Sequence, residues 1–511
     1  MVLGKVAVMA RIAVIGAGMG AMAAAARLAV AGHRVTVYER AETYGGAVRR
    51  FERDGFAFDT GPGLLTLPAV YRDLFVKTGK EALEDVVGLA QVDPAARHLF
   101  ADGTAVSVPN ASRAGVVSAL DEALGAGAGQ RWGDFLVRAR EAWDRTRRPL
   151  LEEPLWPNWR VLADREPYPA VPHKRLLRTR RAATLDEVGR WELRDDRLRA
   201  LLSGHALAHG LDPRTAPASA AVLPYMEHAF GTWYVRGGVR ELARAVYERC
   251  LARRVEFVFG AGVTRIVTAD GRAAGVELAD GTLVDADHVV ADVHPAVLGA
   301  LTDRPLDGDA DVRAGAGPAP ATRFTLLLAL RGAREPGAVH RTVVHAPDGE
   351  RELDLLGSPG GDRPVRPTVT VLRPGDPELV PDRDHESVVV SAALSTDWEW
   401  QRESTVAAYT ELLLEAAEFA VPGLRERLLW HEVRGPGEVG RETGAPLGAV
   451  SAPALAAGGG RFLHPANSTR LPGLHRVGGW AHPGGGLAHT GMSGALVAGL
   501  VVEGPEFRGS Q

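Results

Sequence analysis

The spacing of apolar and polar positions changes character along this chain. Residues 11–15 are a short, branched apolar run of the kind a buried parallel strand needs. A glycine cluster comes next, then an alanine-rich stretch of helical period and a second apolar run at 34–38. From about 70 to 222 helical periods take over and strand signals are few. Helices are predicted there over 113–126, 132–146 and 184–210. Residues 223–300 return to the first style, with a helix over 238–251, a strand ending near Phe259 and another at 264–267. Leu278-Ala-Asp-Gly-Thr-Leu283 reads as a hairpin on a tight Asp-Gly turn. Between 301 and 460 strands dominate, over 324–330, 343–346, 368–372 and 387–393, broken by a helix at 405–418. An Ala/Gly-rich helix over 491–502 ends the pattern.

The first of these blocks carries the chemistry. In Arg11-Ile-Ala-Val-Ile-Gly-Ala-Gly-Met-Gly-Ala21, Gly16 permits a tight turn and Gly18 removes the side chain that would block a pyrophosphate. The helix from about Met19 aims its free amides and positive dipole end at that anion. Ala21 stands where the fingerprint has its third glycine and is small enough for close helix–strand packing. Glu39 ends the second apolar run 23 residues after Gly16, close to the spacing of about 20 at which an acid receives a ribose. Strand, turn, helix, strand and acid in this order imply a bound dinucleotide.

The blocks predict an α/β chain with an α+β second domain. A discontinuous Rossmann-type domain would be assembled from residues 11–69, 223–300 and 461–505. Residues 70–222 would form a helical insertion that governs substrate access, and 301–460 a mixed-sheet substrate domain. Gly/Pro-rich patches at 303–320, 357–367 and 452–460 read as surface loops.

The segments beyond the acid separate FAD from NAD. Ala41-Glu-Thr-Tyr-Gly-Gly46, Phe56-Ala-Phe-Asp-Thr-Gly-Pro62, Gly231-Thr-Trp-Tyr-Val-Arg-Gly-Gly238, Gly262-Val-Thr-Arg-Ile266, Gly275-Val-Glu-Leu-Ala-Asp-Gly281 and Ala286-Asp-His-Val-Val290 run in order toward Leu474-His-Arg-Val-Gly-Gly-Trp-Ala-His-Pro-Gly-Gly-Gly486. This set resembles the phytoene desaturase family of FAD-dependent oxidoreductases, carotenoid desaturase-like members of the amine-oxidase-like flavoprotein superfamily. The resemblance spans nearly the whole chain and implies FAD as cofactor. It sets Gly16, Gly18 and Gly20, with Ala21, against the pyrophosphate and Glu39, followed by Arg40, at the ribose. Gly46 would run under the ribityl chain, with Gly45 also at the cofactor, and the Val263 backbone would touch adenine. Gly61 and Pro62 would lie near the isoalloxazine, with Gly479, Trp480, Gly486, Leu487 and Ala488 along its other edge. One position departs from the pattern: the arginine that usually follows the double glycine is Ala47, with Arg49 and Arg50 the nearest replacements.

The same resemblance implies dehydrogenation, or a related isomerisation, of a long polyisoprenoid or carotenoid-like substrate by hydride transfer to flavin N5. His482, His489 and Thr490 are the candidate catalytic residues by position. The polar pair His489-Thr490 stands where carotenoid desaturases carry small or apolar residues, so it either caps the last helix or faces a polar group. A flavin amine oxidase, an oxidase of this fold acting on a polar secondary metabolite, and a non-catalytic flavin-binding partner are the alternatives.

Composition adds boundaries. The chain has 511 residues, a formal charge of −4 and one cysteine, Cys250, which together exclude a disulfide scaffold and give no general pull toward nucleic acid. Arginine, alanine and glycine are abundant, so alanine-rich helices are expected to reflect composition rather than a special surface. Residues 138–181 depart from the acidic average, with twelve Arg/Lys against six Asp/Glu and with Trp143, Trp156, Trp159 and Tyr168 among them. Such a mixture suits either peripheral contact with a membrane or an arginine-rich linker broken by Pro149, Pro154 and Pro157. No secretory signal is read in the first ten residues and no apolar run reaches about 18. The expected location is cytoplasmic, with peripheral contact at the inner face of the cell membrane, and the expected partner an apolar or amphipathic small molecule. His205, His209 and His228 lack a metal-binding pattern and read as packed or solvated side chains; no metal is expected.

Overall fold

The computed structural model describes residues 9–155, 159–172, 179–302, 306, 321–357 and 364–509. Strands β1 (Arg11–Ile15), β2 (Arg34–Tyr38), β3 (Glu256–Val258), β4 (His288–Ala291) and β5 (Leu474–Arg476) form one parallel sheet in the order β3-β2-β1-β4-β5. An all-parallel sheet needs cover on both faces, and the alternation of β1 shows how it is obtained. Ile12 and Val14 point to helices α1 (Met19–Val30), α2 (Val239–Ala252) and α3 (Leu487–Glu503). Ala13 and Ile15 point to a three-stranded meander of Val263–Ala269, Arg272–Leu278 and Leu283–Asp285. The sheet draws on stretches of chain more than 200 residues apart, as the register of β1 on β4 shows.

Composition alone does not account for the alanines of α1. Ala21 and Ala23 to Ala26 have no exposed surface, and a Cβ on Gly494 of α3 would stand 2.7 Å from both Ala23 Cβ and Gly20 O. Small residues let α1 and α3 approach backbone to backbone, beside the carboxyl end of β1 from which α1 starts.

A seven-stranded mixed sheet stands beside this unit, in the order Leu428–Arg434, Ala321–Arg331, His385–Ser395, Val369–Leu372, Arg341–Val344, Ala96–Leu99, Ala105–Val108. Neighbours are antiparallel except Arg341–Val344 on Ala96–Leu99. Phe324, Leu326, Leu328 and Leu330 pack under the helix Glu403–Glu418, while Leu327 and Ala329 face Phe56 and Phe58. The helices Ala128–Arg147, Asp196–Leu207 and Val222–Phe230 share a further core with Tyr168 and Leu185.

Two features depart from the sequence reading. The region 70–222 contributes Leu89–Gln91, Ala96–Leu99 and Ala105–Val108, the last two extending the large sheet. Three- and four-residue strands show too few alternations for a period to emerge. Arg50–Arg53 and Phe56–Asp59 form a hairpin across Asp54-Gly55, a turn signal of the same kind as the one at Asp280-Gly281. Of the glycine- and proline-rich stretches, 303–320 falls outside the described residues except for 306, as do 358–363 of the second and Trp156 and Pro157.

Candidate functional site

Gly16 closes β1 with φ +91°, its N–H donating to Tyr38 O at 2.8 Å. That left-handed conformation strains any residue with a side chain. Beside it, the Glu39 carboxylate accepts from Ala17 N at 2.7 Å and from Ala41 N at 2.8 Å. The acid is only 7% exposed, so its position is fixed by backbone before any ligand arrives. Gly45, with φ +101°, donates to Ala17 O at 2.7 Å, which brings the double glycine onto the turn. A Cβ on Gly46 would stand 3.1 Å from Gly18 Cα, and one on Gly20 would stand 2.7 Å from Gly478 Cα. Gly16, Gly18, Gly46 and Ala47 nevertheless keep accessible surface. The result is a groove walled by glycine backbone, at the carboxyl ends of β1 and β2 and at the amino end of α1. This is the shape and polarity that a dinucleotide with an anionic bridge requires.

The loop that lacks an arginine at position 47 is held by two others. Arg49 Nε donates to Gly46 O at 2.9 Å. Arg240, from α2, lies over the Tyr44 ring at 3.9 Å and donates to Tyr44 O, Val48 O and Thr43 Oγ1 at 2.6, 2.9 and 2.6 Å. Both cations sit beneath the double glycine and favour an anion there. Arg40 turns the other way, donating to Arg441 O at 2.6 Å on the surface. Arg50 pairs with Glu52 at 2.9 Å. Val263 opens the meander opposite Leu278, close to the end of β2 through the Ala261–Glu39 backbone bond of 2.9 Å.

Across the groove, Gly61 packs where any Cβ would collide with Ala47 O, and Pro62 is exposed. Gly479 and Trp480 follow β5, the indole meeting the His294 ring edge-to-face at 4.5 Å. Gly486 caps α3; the side chains of Leu487 and Ala488 turn into the core, which leaves only their backbone for a ligand. Tyr71 Oη and Thr490 Oγ1 both donate to Leu487 O at 2.9 Å. Thr490 thus secures the first turn of α3.

The three candidate catalytic residues therefore separate. His482 is wholly buried, and its Nε2–H donates to Glu153 O at 3.0 Å. Burial holds its pKa at about 4, and full burial with Nε2–H engaged makes the ring a neutral strut. His489 is different: it keeps accessible surface, and no hydrogen bond to it is found among the described residues. Burial, reinforced by His209, His464 and His482, holds it at about 3.

Beyond His489 lies a polar interior that the sequence pattern presents only as packed histidines. His205, His209 and Arg323 sit deep in the protein yet retain accessible surface. His205 Nδ1 is 3.7 Å from Glu227, which also pairs with Arg341 at 2.8 Å. His98 Nδ1 and His345 Nε2 meet at 3.0 Å, both rings kept neutral by burial. Arg323 donates to Ala208 O at 2.7 Å. A water-sized hollow of about 20 Å³ lies among His98, His205, Arg323 and Arg341.

Asp292 and Arg240 are site residues that the sequence reading misses. Asp292 follows β4 directly, and strand adjacency is the signal that exposes it: the carboxyl end of the strand beside β1 is where ligands of such sheets bind.

Comparison with known proteins accords with this geometry. The flavin containing amine oxidoreductase family matches residues 22–321. The hydroxyneurosporene desaturase of Cereibacter sphaeroides is 30% identical over 96% of this chain and 96% of its own length. The 4,4'-diapolycopene oxygenase of a Methylomonas species is 27% identical over 96% and 98%. An oxidoreductase from Methanosarcina mazei shares the fold with a TM-score of 0.65 at 19% identity, covering 95% of this chain and 99% of that one. Groove and relatives together define a flavin-dependent oxidoreductase. The chain belongs to the flavin containing amine oxidoreductase family, among its carotenoid desaturase-like members.

Proposed function

We propose that the chain binds FAD in the glycine groove and dehydrogenates a long polyisoprenoid or carotenoid-like substrate. The observation that carries this reading is the glycine-walled groove at the carboxyl ends of β1 and β2, with the Glu39 carboxylate fixed beside it by Ala17 N–H and Ala41 N–H. When bound, the flavin supplies a hydride acceptor at N5. Glu39 holds the ribose hydroxyls, the first turn of α1 holds the pyrophosphate, and the amino end of α3 offsets negative charge at the ring edge. A hydrocarbon offers little beyond shape and apolar area, so the walls act mainly by positioning. The curated relatives are carotenoid enzymes, which sets the amine-oxidase alternative aside. His209 and Arg323, deep in the polar interior yet with accessible surface, favour an amphipathic polyene with an oxygen at one end over a plain hydrocarbon, because buried donors reject a partner that cannot pair with them.

Anaerobic titration of the purified holoprotein tests the reading. Flavin bleaching by liposomal carotenoids, and not by simple amines, is the expected result. Bleaching by amines alone would sink it.

No described helix is long and apolar enough to cross a membrane. Trp143 and Tyr168 are buried in the helical core, so they leave the expected surface patch; Tyr168 Oη donates to Glu192 at 3.0 Å. What remains is a cleft of about 920 Å³ lined by Trp159, Val161 and Leu162, with Arg145, Arg165 and Arg181 around it. Val161 is 60% exposed. Glu153, whose carbonyl holds His482, also lines this cleft, which ties it to the flavin-side loop. We assign it to peripheral membrane contact and substrate access. Trp159→Ala combined with Arg165→Glu should weaken co-sedimentation with anionic liposomes about tenfold while leaving the flavin spectrum unchanged. Undiminished binding would assign the cleft to another role.

A further inference from the structure

Asp292 lies where the cofactor's most highly charged part is expected. Its Oδ2 accepts from Ala21 N at 3.1 Å, taking one of the free amides of the first turn of α1. The same carboxylate fills the space in front of two glycines: a Cβ on Gly18 would collide with Oδ2, and one on Gly478 with Oδ1. Its backbone is held in turn, Asp292 N donating to Ile15 O at 2.9 Å. The residue keeps accessible surface, and its carboxylate stands in front of Gly18 on the groove. An acid here does the reverse of what a pyrophosphate site calls for. It brings negative charge to the helix end that should receive an anion, and it engages an amide that the anion would use.

We propose that Asp292 is a proton-dependent gate on cofactor binding: protonated, its carboxyl donates to the pyrophosphate; ionised, it repels that dianion and keeps the Ala21 amide for itself. The gate rests on FAD occupying the glycine groove. The surroundings make the switch usable near neutrality. The glycine turn, the start of α1 and Gly478 contribute only backbone, and among the described residues the charged group that acts on Asp292 is Glu39 at the end of β2. Burial, with repulsion from Glu39 added and the Ala21 bond opposing, raises the carboxyl to about 7. Below that pH the free protein already carries the proton that binding needs. Above it, each bound FAD must take up one proton, so affinity falls by about tenfold per pH unit until the pKa of the complex is reached.

The test dilutes purified holoprotein and reads released FAD by its fluorescence from pH 6 to pH 9. The apparent Kd of the wild type should rise about a hundredfold over this range. Asp292→Asn keeps an acceptor for Ala21 N–H and a donor for the pyrophosphate, and should bind FAD with no such slope. At pH 8, release from the wild type should free about one proton per flavin, measured with an indicator in weak buffer. That count needs no variant. A flat wild-type profile, no proton release at pH 8, or an unchanged slope in Asp292→Asn overturns the gate and leaves the cofactor assignment standing. A protein that holds no FAD at any pH overturns both.

Discussion

Gly18→Val is expected to leave the purified protein colourless. Gly18 has φ −71° and ψ 171°, extended backbone that valine adopts without strain, so the chain should still fold. What the side chain cannot have is space. Its Cβ would meet the Asp292 carboxylate, and its methyl groups would stand in the groove between Gly46 and the first turn of α1. Flavin content should drop by at least about tenfold, since a pyrophosphate displaced from the helix amides loses its main charge-assisted hydrogen bonds. The flavin absorbance per protein measures this, with far-ultraviolet circular dichroism as the control for folding. Full flavin content would move the pyrophosphate away from α1. Gly16 makes the weaker test, because at φ +91° any side chain strains the turn and loss of flavin could not be separated from loss of fold.

The difference between what the sequence disclosed and what it hid is largely one of range. The turn at Gly16, the helix after it and Glu39 depend on neighbours within about 25 residues, where period and glycine spacing speak directly. Asp292 reaches α1 across 271 residues, and nothing local marks it except an acid at the end of an apolar strand. Arg240 supplies charge beneath the double glycine from 196 residues away, so Ala47 looks like a loss when read locally. His482 falls inside a recognisable glycine-rich segment, yet its ring direction is set by the Glu153 carbonyl 329 residues earlier. Trp143 and Tyr168 illustrate the opposite error. Their basic neighbours suggest a surface, but on the helix Ala128–Arg147 the aromatic and charged positions lie on different faces, and the aromatic one is the core.

His489 is where the geometry and the chemistry of the proposed reaction meet. It stands in the first turn of α3, beside Gly486, with its ring turned to the interior and, among the described residues, free of the hydrogen bonds that occupy His482 and Thr490. Held at about 3 by burial and neighbouring histidines, it is neutral throughout the working range, and so low a basicity makes it a weak proton acceptor. No histidine limb should therefore appear in the rate profile between about pH 5 and pH 8, whereas an unperturbed imidazole would titrate near 6.5. His489→Ala is expected to lower kcat on the order of 100-fold, the lower range for a lost general base, with KM and flavin content little changed. His489→Gln decides between the two roles left to this side chain. Glutamine keeps a hydrogen-bonding group of similar reach but cannot take up a proton in this range. If it fares no better than alanine, His489 accepts the proton removed beside the departing hydride. If it restores the rate, the imidazole serves as a polar contact that orients the substrate, and the proton leaves by another route.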